Sequence, residues 1–297
     1  MNNTIYLIIT NRCNLKCEDC FYTQEPWRIV DDRLNLKDLY SVIQQAHYLG
    51  FKEVSFTGGE PLLSKYIFKL IRFAKTLGMK TTISTNASLL KIKTIKKLKT
   101  SGLENLYISL SSDYFFNTNN WKNKASTIVV EAKREKFKSM ALVFVVTRKN
   151  LKLLEEIINF TVKEKVSLQI QPAYISLKNN NLSLWNLNES ERKQFKKLLN
   201  RLRKKRNINE KYIHLILSYY SKKKIKKLPH YCHFAKEDLV VDADGRIYPC
   251  FHRRDLCLGS ILDNSLEDCI KRLKNGEKQA MVMAECVGEH CLSLFTG

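Results

Sequence analysis

Long apolar runs are missing from this chain: no stretch of its 297 residues approaches the roughly 18 to 20 that a membrane-spanning helix needs. Residues 1–9 run into a cysteine-bearing loop without the cleavage pattern of a secretory signal, so the expected compartment is the cytoplasm and no membrane partner is expected. There is no internal repeat and no extended low-complexity tract apart from lysine enrichment. Acidic residues are scarce: 29 Asp and Glu stand against 51 Lys and Arg, a net charge of +22. Such a field attracts polyanions, but lysine beside abundant Asn and Ile is also what an AT-rich genome imposes without any partner. In the densest basic stretch, Lys193 to Arg206, the residues Phe195, Leu198, Leu199 and Leu202 fall at i, i+3, i+4 and i+7. The lysines and arginines between them therefore form the outer, solvated face of a helix.

What is present is enough apolar material, 44% of the chain, to fill a real core. From residue 4 to about 171, short β-branched or apolar runs alternate with helix-length amphipathic segments, the pattern of a mainly parallel α/β sheet. The strands expected are Thr4 to Ile9, Glu53 to Phe56, Lys80 to Ser84, Asn105 to Leu110, Met140 to Val146 and Ser167 to Gln171. Helical patterns lie between them at about 36–49, 64–77, 91–101, 120–136 and 150–164, and Gly50, Gly78 and Gly102 follow three of these as C-terminal glycines. Six units are too few to close an eight-stranded barrel, so the expectation is an open, partial (β/α)6 barrel over residues 1–172. A helical bridge follows at 173–230, its first helix opened by a capping box of Asn188 and Glu191. Residues 231–297 form a small cysteine-rich α+β extension, in which Leu239 to Asp242 and Arg246 to Tyr248 flank a turn at Ala243-Asp244-Gly245.

Nine cysteines gathered at the two ends of a chain expected in a reducing compartment point to metal or cluster binding rather than to disulfides. Cys13, Cys17 and Cys20 follow the first strand with the spacing Cys-x-x-x-Cys-x-x-Cys. A cubic iron–sulfur cluster usually takes four thiolates, so a loop supplying three leaves one iron free to hold a reactant. A structural zinc site would need a fourth Cys or His, and the nearest, His47, lies inside a helical pattern. In the extension, Cys232, Cys250, Cys286 and Cys291 can close a second metal site, and these ligand types leave zinc and iron–sulfur both open.

Four features together resemble a radical S-adenosylmethionine (SAM) enzyme with a C-terminal SPASM or twitch-type extension. They are the Cys13, Cys17, Cys20 loop, Thr57-Gly58-Gly59-Glu60-Pro61 after the second strand, Ser84-Thr85-Asn86 after the third, and Cys232-x12-Gly245-x4-Cys250. The resemblance implies a SAM-binding 4Fe–4S cluster on the first three cysteines, its open iron chelated by the methionine moiety of SAM. It implies that Gly58 and Gly59 let backbone groups approach the cosubstrate's amine, that Glu60 pairs with that amine, and that Ser84, Thr85 and Asn86 face the sugar or carboxylate. Ser109 and Ser111 are further candidates for that work. Asp19 stands where the family often has an aromatic, which leaves Phe21 or Tyr22 for the adenine. A second, auxiliary 4Fe–4S cluster would have Cys232, Cys250, Cys286 and Cys291 as ligands, in the shorter twitch form, because the dense cysteine run of a full SPASM set is missing.

Of the remaining cysteines, Cys269 shares a helical face with Leu266, Ile270 and Leu273 and reads as a core residue. Cys257 is open to three roles: structural thiol, alternative ligand, or hydrogen-atom donor to a substrate radical. His230, His233, His252 and His290 crowd the same unit. Asp113 and Gln171 stand at the catalytic end of the sheet as candidate substrate contacts. The reaction implied is one-electron cleavage of SAM, fed by a donor such as flavodoxin or ferredoxin, to a 5′-deoxyadenosyl radical that abstracts a substrate hydrogen. The substrate expected first is a ribosomally made peptide, to be crosslinked, converted to a thioether or epimerised, although strand one begins too early to leave room for a leader-recognition domain. The second expectation is dehydrogenation or epimerisation of a small molecule such as an aminosugar. The third, an RNA-binding or tRNA-modifying iron–sulfur protein, ranks last because a structural cluster needs no open iron beside a Gly-Gly-Glu edge.

Overall fold

Parallel pairing of β-branched strands gives this protein its frame. The computed structural model describes residues 4–20, 22, 30–110, 113–116, 120–173, 182–203, 213, 216–217, 238–251 and 254–274. Strands β1 (Thr4–Ile8), β2 (Glu53–Thr57), β3 (Lys80–Thr85), β4 (Asn105–Ser109), β5 (Ser139–Val146) and β6 (Ser167–Pro172) pair in chain order, each parallel to the next. Helices α1 (Leu36–Tyr48), α2 (Ile67–Thr76), α3 (Ile92–Thr100), α5 (Trp121–Arg134) and α6 (Leu154–Lys163) make the crossovers, with a short α4 (Asp113–Phe116) after β4. The six strands and five long helices fall where the sequence pattern put them, within a few residues at their ends.

Alternation along each strand divides the sheet into two faces. Ile5, Leu7, Val54, Phe56, Ile83, Leu106, Ile108, Leu142, Phe144, Leu168 and Ile170 join the helices in one core. The residues between them, among them Ser55, Ser84, Tyr107, Ser109 and Gln169, therefore lie on the opposite, largely polar face. Helix entries are set locally. Asn35 caps α1 through its side-chain oxygen, which accepts from the amides of Lys37 (2.8 Å) and Asp38 (3.2 Å), while Asp38 accepts from the Asn35 amide at 2.9 Å. In the bridge, the expected box of Asn188 and Glu191 opens α7 (Glu189–Arg203), both of its hydrogen bonds being present at 2.7 and 2.8 Å. Phe195, Leu198, Leu199 and Leu202 of α7 are buried.

The extension does not stand apart from the sheet. Its strand β7 (Leu239–Val241) pairs in parallel with β1, setting Ile5 opposite Leu239, Tyr6 opposite Val240 and Leu7 opposite Val241. The hairpin partner β8 (Arg246–Tyr248) is antiparallel to β7, and β9 (Gly259–Ser260) adds to β8. The described strands thus form one open sheet in the order β6-β5-β4-β3-β2-β1-β7-β8-β9. Gly245 turns the hairpin at φ +91°, a conformation that costs other residues about 1–2 kcal/mol. Helix α8 (Leu266–Lys274) closes back on the barrel: the Leu266 amide donates to Gln45 of α1 at 2.9 Å, and Cys269 is fully buried in the core, as expected.

Candidate active site

The cysteine loop leaves β1 at the C-terminal edge of the sheet, and its root is held from two sides. Backbone amides of Gly59 and Glu60 donate to the carbonyls of Thr10 and Arg12, both at 2.8 Å. Asp32 accepts from the Thr10 hydroxyl (2.5 Å) and the Asn11 amide (2.8 Å), and pairs with the Arg12 guanidinium at 3.4 Å. The two glycines are needed for this contact. A Cβ on Gly58 would stand 2.3 Å from the Thr10 carbonyl oxygen, and one on Gly59 would stand 2.2 Å from that of Arg12. The pair therefore accommodates the protein's own loop.

Glu60 has a different surrounding from the one expected. Its side chain is fully buried. Oε1 accepts from the Leu62 amide (3.0 Å) and the Thr85 hydroxyl (2.8 Å), and Oε2 from the Asn86 amide (2.8 Å). The carboxylate thus ties the turn after β2 to the turn after β3, and in this structure it presents no surface to an amine. Burial pushes the Glu60 carboxyl up, against the pull of its three donors. Thr85, also buried, is engaged on Glu60 and by the Ala87 amide at 3.1 Å.

Asn86 reaches the cysteines directly. Its Nδ2 lies 3.7 Å from Cys13 Sγ and 3.1 Å from the Asn14 side-chain oxygen, and Asn14 in turn donates to Ser88 Oγ at 2.8 Å. The Leu15 amide donates to Cys13 Sγ at 3.4 Å. Burial pushes the Cys13 thiol up, these two donors oppose it, and Cys20 is near enough to add to the rise. Glu18 pairs with Lys149, beyond β5, so the cysteine loop reaches across the end of the sheet. Ser84 and Ser109 are half-buried on the polar face, Gln171 is exposed at the end of β6, and Asp113 opens α4. Tyr22 is half-buried, while Phe21 and Ser111 lie outside the described residues.

The thiol chemistry fits a cluster. Cys13, Cys17 and Cys20 are thiols outside any disulfide, none is fully buried, and they supply three soft donors on one loop, one short of a closed zinc set. Among the described residues no three His, Cys, Asp or Glu side chains converge on a single metal ion. Of the expected auxiliary set, Cys250 is a buried thiol outside any disulfide, two residues past β8, whereas Cys232, Cys286 and Cys291 lie outside the described residues, as do His230, His233, His252 and His290. Cys257 is exposed next to the outermost strand β9, its Sγ 3.5 Å from the Gly259 carbonyl. Sequence reasoning missed Asp32, Asn14 and Ser88, which hold the loop; none carries a motif, and only their spatial neighbours reveal them.

An open, mainly parallel sheet with three thiols on the loop after its first strand is an arrangement suited to an iron–sulfur α/β enzyme. The family model for the Radical SAM superfamily matches residues 7–161, just over half of the chain, and the protein belongs to that superfamily. The SPASM iron-sulfur cluster-binding domain matches residues 232–286. The protein is therefore a radical SAM enzyme whose cofactors are a 4Fe–4S cluster, SAM and an auxiliary cluster. The GTP 3',8-cyclase of Clostridium botulinum is 35% identical over 115 residues, 37% of this chain and 35% of that protein, so the match spans about a third of that relative's length. A probable GTP 3',8-cyclase of Sulfurisphaera tokodaii is 26% identical over 297 residues, 93% of this chain and 91% of its own. Streptococcus suis SuiB bound to S-adenosylmethionine superposes with a TM-score of 0.67 at 18% identity, over 99% of this chain and 71% of that chain, a likeness of fold. No described helix is long and apolar enough to cross a membrane.

Proposed function

We propose that the enzyme modifies a peptide by hydrogen-atom abstraction at the C-terminal end of its open sheet. The observation that carries this reading is the cysteine loop seated by Gly58 and Gly59 at the C-terminal end of a sheet that, among the described strands, stays open at β6. A cluster at Cys13, Cys17 and Cys20 supplies, with SAM, the one-electron cleavage that yields the abstracting radical. The chain's own residues hold and shield. Cys13, Cys17 and Cys20 ligate, Asn86 donates toward Cys13 Sγ, Ser84 and Ser109 line the approach, and backbone groups of Gly58 to Glu60 border the loop. Gln171 and Asp113 stand where a substrate would enter, and an open edge suits an extended chain better than an enclosed cavity would. The basic outer face of α7, with Lys193, Lys196, Lys197 and Arg201 around a cavity of about 440 Å³, offers charge complementary to an acidic segment. Support from likeness is that SuiB has also been solved bound to precursor peptide SuiA, with a TM-score of 0.67.

A second reading is action on a small molecule, supported by the near full-length similarity to the probable GTP 3',8-cyclase of S. tokodaii. The polar inner face, with Ser55, Tyr107 and Gln169, suits a hydroxyl-rich ligand equally well. The discriminating experiment supplies anaerobically reconstituted enzyme, reduced by dithionite or flavodoxin, with candidate acidic precursor peptides or with GTP and aminosugars. A change in peptide mass coupled to deoxyadenosine formation supports the first reading. Turnover of a nucleotide or sugar with every peptide left intact would replace it with the second.

A further inference from the structure

Asp242 directly follows β7, the first strand of the hairpin, with no exposed surface, a position where a carboxylate stays ionised only against a partner. That partner is Arg254, whose Nη1 pairs with Asp242 Oδ2 while the guanidinium lies over the Tyr248 ring, 5.0 Å from its centroid. The other oxygen, Oδ1, accepts from the Ala243 amide at 2.8 Å and from Asn11 Nδ2 at 3.4 Å. Asn11 stands two residues before Cys13. A second link runs beside the first: the Ala243 carbonyl accepts from the amides of Arg33 (2.9 Å) and Leu34 (3.2 Å), next to Asp32, which holds Thr10 and Asn11. Arg254 itself lies between Cys250 and Cys257 in the sequence.

We propose that Asp242 and Arg254 are a positioning pair that couples the hairpin to the cysteine loop after β1, the paired carboxylate fixing the root of the Cys13 loop through Asn11. The reason is electrostatic. Without the guanidinium, Asp242 is a lone buried charge that must protonate or swing outward, and either change takes Oδ1 away from Asn11. Removing both charges relieves that demand, because an amide at 242 keeps an oxygen for Ala243 and Asn11. The inference goes beyond the peptide reading, since it depends on no particular substrate.

The test is amide hydrogen exchange, read by mass spectrometry, on the full chain reconstituted anaerobically with iron and sulfide. R254M is expected to speed exchange over residues 9–14 by at least about tenfold, the scale of losing one hydrogen bond to a charged group. D242N/R254M is expected to return it close to the parent rate, a rescue that general damage to the extension would not give. N11A leaves the buried pair intact and is expected to speed exchange over 9–14 while residues 239–248 keep the parent rate. Parent-like exchange over 9–14 in R254M, or acceleration that the double variant does not relieve, overturns the proposal. If R254M does not fold, N11A decides alone, and unchanged exchange over 9–14 overturns it.

Discussion

Oε1 of Glu60 accepts a 2.8 Å hydrogen bond from the Thr85 hydroxyl in a place with no exposed surface, so this carboxylate belongs to the frame of the site. E60A strands the Thr85 hydroxyl and the amides of Leu62 and Asn86. At about 1–3 kcal/mol for each buried group left without a partner, partly recovered by water, a loss of about 3 kcal/mol is expected in urea denaturation.

The same residue sets a pH dependence. Its folded carboxyl is held above the ordinary value by burial. Its contribution to stability is therefore full below the unfolded carboxylate range and is lost as pH rises through the raised value. The stability difference between parent and E60Q should change along that arm in favour of E60Q as pH rises, measured as urea midpoints at a series of pH values. A pH-independent difference would contradict the assignment.

Gly59 and Gly78 provide a matched pair. A Cβ at Gly59 meets the Arg12 and Asn11 backbone at 2.2–2.7 Å, whereas one at Gly78 meets nothing within 4 Å, although its φ of +76° is unfavourable to other residues. G78A should cost about 1–2 kcal/mol and leave iron binding unchanged. G59A should displace the cysteine loop and cut the iron retained at Cys13, Cys17 and Cys20 several-fold, as assayed by iron and sulfide content after desalting.

Glu104 gives a surface prediction with the opposite sign. Burial pushes its carboxyl up, but hydrogen bonds and charge from Lys75 and Lys138 outweigh it and hold the group below its ordinary value. The stability it adds is present above the unfolded carboxylate range and is lost as pH falls through the depressed value. E104Q should remove that acid-side loss. The difference between parent and variant should also shrink in high salt, because the lysines are exposed.

The sheet was legible because its signals are local: β-branched runs, amphipathic spacing and C-terminal glycines such as Gly50 and Gly78 each depend on neighbours within a turn or a strand. The Asp244-Gly245 hairpin was legible for the same reason. Its docking on β1 was not, since Leu239 pairs with Ile5 across most of the chain and a three-residue strand carries no register signal of its own. The cysteine spacing and the Gly-Gly-Glu edge marked the site, yet the reason for the glycines and the partners of Glu60 emerged only from packing. Asp32 and the Asp242–Arg254 pair had no signal at all, because each acts between segments that only the fold brings together.

Cys13, Cys17 and Cys20 are expected to hold a redox-active iron–sulfur cluster that cleaves SAM. The most direct measurement is deoxyadenosine formation by anaerobically reconstituted protein given SAM and dithionite, run beside the C13A/C17A/C20A variant. Deoxyadenosine is expected from the parent and none above background from the variant, with iron lost from that loop alone. Zinc in place of iron at these three cysteines, or equal deoxyadenosine from both proteins, would contradict it.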